Sequence, residues 1–272
     1  MIFNIKKLSE FKENLRVQFA DTYGTYRPEN VYIKEYKIDA PLEGQSRELW
    51  VYKNIDPHKV ELSRVYWENT KKPKYETVFT EKLINRFEVL NEESLNLIFR
   101  IQDLRELFKI LVNDIFPVEL LDHATPPKPI GRGFSTHGMP GAVFIKAPAL
   151  DNGIVENHAL NIVHEMGHQA LMLVQWHDQI FISGATDPIY SVIRKIHRPA
   201  IKSMHALVAT SFMAKYLKDL KSKNFEIGVL SDTYKSLLIS QKLGLEVMKN
   251  LNYTEIGQEI YNDCLNLIEK IE

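Results

Sequence analysis

Two histidines four residues apart, His164 and His168, stand in the run His164-Glu165-Met166-Gly167-His168. Leu160, Val163, Leu171 and Val174 recur around them at helical spacing. Four residues carry a helix about 40° past a full turn, so both imidazoles leave one face and can bind one metal ion, with Glu165 beside them. A third ligand is needed to complete such a site.

Three continuations can be tested along the chain. A metzincin pattern needs glycine at 171 and histidine at 174, where Leu171 and Val174 stand. No convincing segment supplies the glutamate of a gluzincin. The aspzincin pattern has a near match in Gly184-Ala185-Thr186-Asp187-Pro188-Ile189-Tyr190-Ser191, in which Asp187 and Tyr190 fall correctly. Further on, Arg194, Arg198 and His205 are separated by four and seven residues. On a continuous helix they share a direction within about 40°, although Pro199 suits a first helical turn and can leave Arg194 ahead of the helix. His205 would complete the metal site from a helix facing the first, and an arginine would hold an anionic co-ligand.

The elements that must position these residues follow from periodicity and turn chemistry. Helices are expected over 8–20 and over Thr80–Phe116, the latter as two segments broken near Asn91. Further helices are expected over 156–175, 199–221, 231–250 and 254–270, with caps at Ser231 or Asp232 and at Thr254. Strands are expected at Val31–Ile33, Leu49–Tyr52 and Ala142–Ile145. Pro126, Pro127 and Pro129 make a stiff extended loop. The fold class is α+β, mostly α-helical with a small β-sheet, and the metal site lies between the HExxH helix and a following helix. Residues 1–125 form an N-terminal α+β portion suited to substrate binding, and 126–272 a catalytic metal-binding portion, together one compact unit.

Composition narrows the function classes. The chain has 272 residues, 44% hydrophobic and 25% charged, with a formal net charge of -1. That balance does not suit a phosphate-backbone binder, so no nucleic-acid partner is expected. The single cysteine, Cys264, cannot make an internal disulfide and reads as a core residue. Charges at Lys6 and Lys7 interrupt the N-terminus before any long apolar run, and no stretch reaches the length of a membrane span. A soluble, cytoplasmic protein without a membrane partner is expected.

The chain resembles the HExxH-type, 2-oxoglutarate-dependent peptide β-hydroxylases of ribosomal peptide natural-product pathways. Three blocks carry the resemblance: Met139-Pro140-Gly141-Ala142-Val143-Phe144-Ile145, the Val163-His164-Glu165-x-x-His168 helix, and Arg194-x-x-x-Arg198-Pro199 followed by His205. Their order and spacing match over about residues 135–215. Ile193 and Ala206 depart from the tryptophan and glycine usual in that family.

The resemblance implies Fe(II) held by His164, His168 and His205, with 2-oxoglutarate and O2 as co-substrates and a ribosomally made precursor peptide hydroxylated at Cβ. Arg198, or second to it Arg194, would hold the far carboxylate of 2-oxoglutarate, a task that suits the planar guanidinium. Glu165 would orient a ligand or the substrate. Two other readings compete. A zinc peptidase would use His164, His168 and Asp187 as ligands, Glu165 as general base and Tyr190 at the oxyanion. A non-catalytic peptide-binding protein would keep the helix for structure alone.

Overall fold

The computed structural model describes residues 1–23, 75–77, 81–118, 120–122, 133–135, 141–146, 154–225 and 227–271. The expected strands at 31–33 and 49–52 and the proline-rich loop lie outside the described residues. Among the described residues the protein is an α+β fold dominated by helices, with small sheets.

Helix α1 runs Ile5–Tyr23, three residues earlier at its start than the apolar spacing suggests. Asn4 explains the shift: its side-chain carbonyl accepts from the Lys7 amide at 3.0 Å, satisfying an orphan donor of the first turn. Helices α2 (Glu81–Phe99) and α3 (Gln102–Leu111) replace the expected pair broken at Asn91. Asn91 is buried inside α2, and the chain breaks at Arg100–Ile101 instead, where Ile101 leaves helical geometry. After Leu111 the chain becomes strand β2 (Asp114–Val118), correcting the helical expectation for that stretch. Pro117 within the run is itself incompatible with a helix interior.

Strands β1 (Tyr75–Thr77) and β3 (Leu120–Asp122) form an antiparallel pair. Strands β4 (Gly133–Ser135) and β5 (Ala142–Lys146) join β2 in a three-stranded sheet of order β2-β5-β4. The β2–β5 pairing is parallel, with Ile115 opposite Val143, and β4–β5 is antiparallel, with Phe134 opposite Phe144. The central strand is the apolar run Ala142–Ile145, as its composition requires.

Helix α4 (Ile154–Gln175) packs against this sheet on one side and against α5 (Ala200–Ser222) on another. Between them β6 (Pro188–Ser191) and β7 (Ile196–Pro199) form an antiparallel hairpin. Helices α6 (Ser231–Met248) and α7 (Glu255–Glu269) close the fold over α5. Thr254 caps α7 as expected, accepting from the Gly257 amide at 3.0 Å. Helix α6 instead starts after Leu230 with no side-chain cap, so neither Ser231 nor Asp232 performs that role. One apolar core runs through both portions of the chain, from Ile2 and Leu8 through Leu104 and Val163 to Phe212 and Ile260.

Candidate metal centre

Helix α4 is the scaffold of the site, and glycine sets how close α5 can come. A Cβ placed on Gly167 would lie 2.6 Å from Ala209 Cα, so the two backbones touch at the turn between His164 and His168. The helices run antiparallel about that contact. Four residues before Ala209, the His205 ring lies 5.5 Å from that of His168 and its Nε2 meets Gln175 Oε1 at 2.8 Å. Four residues after it, Met213 Sδ lies 3.2 Å from His164 Nδ1. The row His205–Ala209–Met213 thus faces the HExxH turn residue by residue.

The two motif imidazoles present their Nε2 atoms to each other at 3.1 Å. Two nitrogens bound to one ion by bonds of about 2.1 Å stand roughly 3–3.4 Å apart, so the pair is spaced for a shared metal. The thioether can only accept from His164 Nδ1–H, which leaves the lone pair on Nε2, toward His168. Burial, followed by the Arg194 charge, pulls the His164 imidazole down to about 4. His168 is held well below its usual value by burial and then by the cationic forms of His164 and His205 and the arginines. Both rings are therefore neutral at pH 7, the state a metal ligand must have.

Glu165 is the third member of the tight group: its carboxylate and the two imidazoles bring ligand atoms within 4.8 Å of one another. It is 2% exposed and accepts a hydrogen bond from Ser135 Oγ at 2.8 Å. Burial raises its carboxyl to about 8, against the opposing pull of Ser135 and Arg194. Strand β4 approaches closely because residue 133 is glycine; a Cβ there would meet Phe144 O at 2.7 Å and Glu165 Oε1 at 3.1 Å. One helical turn on, Gln169 Oε1 accepts from the Gly141 amide at 2.9 Å, tying the start of β5 to α4. Gly141 itself has φ +84°, a backbone region other residues enter at a cost.

The arginines do not ride on a helix. Arg194 is exposed in the β6–β7 turn, and Arg198 is half-buried in β7, opposite Ile189. Lys195, at φ 55°, closes that turn, and its amide bonds to Ser191 O. The β-branched residues Ile189 in β6 and Ile196 in β7 favour this hairpin over a helix, which begins only at Ala200. Both guanidinium charges nonetheless reach the site: Arg194 acts on His164, Glu165 and His168, and Arg198 on His168. Arg198 is itself pulled down by partial burial and by Arg194.

Asp187 and Tyr190 stand apart from this group. Asp187 is exposed, outside the cluster of His164, Glu165 and His168. Tyr190 is 42% exposed, with its ring 5.6 Å from that of His197. His205 stands beside the cluster, its Nε2 engaged with Gln175. Ser135, Gln175 and Met213 were not legible as site residues. Gln175 lies on the same helical face as His164 and His168, eleven residues from the first, and that spacing was the available signal.

No protein-family model matches the chain, and no curated protein matches it.

Proposed function

We propose that this chain is an Fe(II)- and 2-oxoglutarate-dependent oxygenase that hydroxylates a residue of a ribosomally made precursor peptide at Cβ. The observation that supports it best is a pair of imidazoles spaced for one ion within electrostatic reach of a two-arginine hairpin. That combination provides for a metal and for a dicarboxylate beside it.

The donor set suits the ion. His164 and His168 would hold iron through Nε2. His205, donating Nε2–H to Gln175, carries its lone pair on Nδ1, the nitrogen with which it would complete the set. Iron ligated only by histidines leaves positions for a bidentate co-substrate. When bound, the iron supplies an oxidation in which 2-oxoglutarate and O2 are consumed, succinate and CO2 are formed, and one substrate C–H becomes C–OH.

The chain's own residues do the positioning. Arg198, seconded by Arg194, would fork onto the far carboxylate of 2-oxoglutarate. Glu165, buried and held by Ser135, would orient a ligand or the substrate. The peptide substrate and a cytoplasmic location belong to this same reading. Among the described residues no helix is long and apolar enough to cross a membrane.

One observation favours a second reading. The Glu165 carboxylate sits in the tight group where a general base of a zinc peptidase would be needed. Against it, Asp187 lies exposed outside that group. Turnover of 2-oxoglutarate separates the two. The oxygenase releases succinate, slowly even without peptide, only with Fe(II) and O2 present, and Arg198→Ala reduces this sharply. No succinate under any condition, with hydrolysis of an unstructured peptide by the zinc-loaded protein, would establish the peptidase.

A further inference from the structure

Helix α6 carries an apolar stripe on the side turned away from the core. Ile239, Leu243 and Val247 recur every fourth residue and are 62%, 51% and 38% exposed. Its buried residues, Tyr234, Leu237, Gln241, Leu245 and Met248, lie on the opposite side, so these three are not the ragged edge of the core face. Beside them runs a row at heptad spacing, Lys235, Lys242 and Lys249, all exposed. The acidic residues of α6 are Asp232, 3.5 Å from Lys235, and Glu246.

The other margin of the stripe meets the β6–β7 hairpin. Tyr190, Ser191, Val192 and Ile193 line a shallow, open cleft with Gly244 and Met248 of α6 and with Ser203 and Leu207 of α5. Arg194, Lys195 and Ile196, which follow Ile193 in the same hairpin, are exposed. Gly244 lines this cleft although the fold does not require glycine there. A Cβ at 244 would stand in ordinary van der Waals contact, 3.4 Å from Leu207 Cδ1. Glycine inside a helix is costly relative to alanine, and at 244 it leaves this wall of the cleft without a side chain.

We infer that this face docks an acidic amphipathic segment of the peptide substrate, a helix with aliphatic residues every third or fourth position flanked by aspartate or glutamate. The inference rests on the oxygenase reading for the identity of the substrate, though not for the surface. Charge complementarity selects the occupant: aliphatic residues pack on Ile239, Leu243 and Val247, while acidic flanks meet the lysine row on one side and Arg194 and Lys195 on the other. A second copy of the chain fits less well, because self-pairing would bring the lysine rows together. The hairpin joins the docking face to the metal centre, since Tyr190–Ile193 line the cleft and β7 runs directly into α5, the helix of His205.

The test uses the full chain in EDTA and two fluorescein-labelled synthetic peptides, one with leucines on a helical face flanked by glutamates, the other with lysines replacing the glutamates. Anisotropy should show binding of the acidic peptide, weakening with added salt, and none of the basic one. Leu243→Asp should weaken binding by about tenfold or more, the worth of one buried aliphatic contact. Gly244→Leu should do the same by filling the cleft, and circular-dichroism melting checks that both variants stay folded. Equal binding of both peptides, or of neither, overturns the proposal. So does a dimer split by Leu243→Asp, which would assign the face to a second copy. Sedimentation with phosphatidylglycerol vesicles that Leu243→Asp abolishes would assign it to a membrane surface, with the same consequence. Succinate release measured on the same protein keeps the two readings separable, because peptide docking needs no metal and basal succinate release needs no docking.

Discussion

On His164 and His205 a partner at one ring nitrogen leaves the other for a ligand. Met213 takes the far side of His164, and Gln175 takes Nε2 of His205. Such partners fix ring orientation and tautomer, and their loss typically costs about 10–100-fold in metal affinity. Gln175→Leu is therefore expected to weaken iron binding by roughly that factor with little change in melting temperature, measured by competition with a chelator. His164→Ala should abolish stoichiometric metal altogether. Of these residues the HExxH spacing was legible because period and chemistry coincide. Gln175, Met213 and Ser135 were not, because a lone polar or thioether side chain has no pattern until a second element is set against it. His158 is a different case. It is fully buried, edge-on to Phe87 at 5.0 Å, with no hydrogen-bond partner on either nitrogen among the described residues. Burial pulls it down to about 4. An imidazole whose folded value is depressed contributes stability that is intact above its ordinary value near 6.5 and is lost as pH falls toward about 4. The protein should thus lose stability over that window, and His158→Leu should flatten the loss in melting curves taken between the two values. An unchanged profile would place the acid sensitivity elsewhere.

At the scale of elements, the contact that matters most is α4 on α5 through Gly167 and Ala209. The 2.6 Å approach leaves no room for a methyl, and the obstacle is backbone, not a side chain that can swing aside. Gly167→Ala should cost about 1–3 kcal/mol in urea unfolding, the usual penalty of overpacking. It should also weaken metal binding, because His205 and Met213 move with α5. A variant that loses neither would show that the helices can separate without consequence for the site. At this scale the long helices were legible from period and caps, with α4 and α7 within two residues of expectation at either end. The hairpin was not. Arg194, Arg198 and His205 fit a helical period by spacing, yet β-branched Ile189 and Ile196 stand in the paired strands β6 and β7. The arginines reach the site from a strand and its turn, a route that a count of residues per turn does not reveal. The break between α2 and α3 was misplaced for a related reason: Asn91, polar by type, is tolerated inside α2, whereas Ile101, apolar by type, leaves it.

Across the whole molecule the described parts of both portions share one core. Ile2 and Leu8 are fully buried, and Lys7 reaches Glu259 of α7 at 2.7 Å. Helix α1 also stacks Phe11 on His177, just beyond the end of α4, with ring centroids 4.5 Å apart. The first turns of the chain thus brace the end of the helix that carries the HExxH motif. Leu8→Ala should cost about 2–4 kcal/mol, as a buried leucine truncated to alanine does. A loss of roughly 1 kcal/mol or less in chemical denaturation would show α1 to be loosely docked. Mostly helical α+β character was legible from composition and period. The shared core was not, since which apolar faces meet depends on contacts far apart in the chain, such as those between residues near 7 and near 259.

Fe(II) held by His164, His168 and His205 beside an arginine-bound 2-oxoglutarate is the central proposal. Adding Fe(II) and then 2-oxoglutarate to the metal-free protein without oxygen, and recording the visible spectrum, tests it with no peptide substrate. A weak charge-transfer band that is absent in His205→Ala and needs more 2-oxoglutarate in Arg198→Ala is the predicted result. No band at saturating 2-oxoglutarate, with one zinc retained tightly by both the parent protein and His205→Ala, would contradict it.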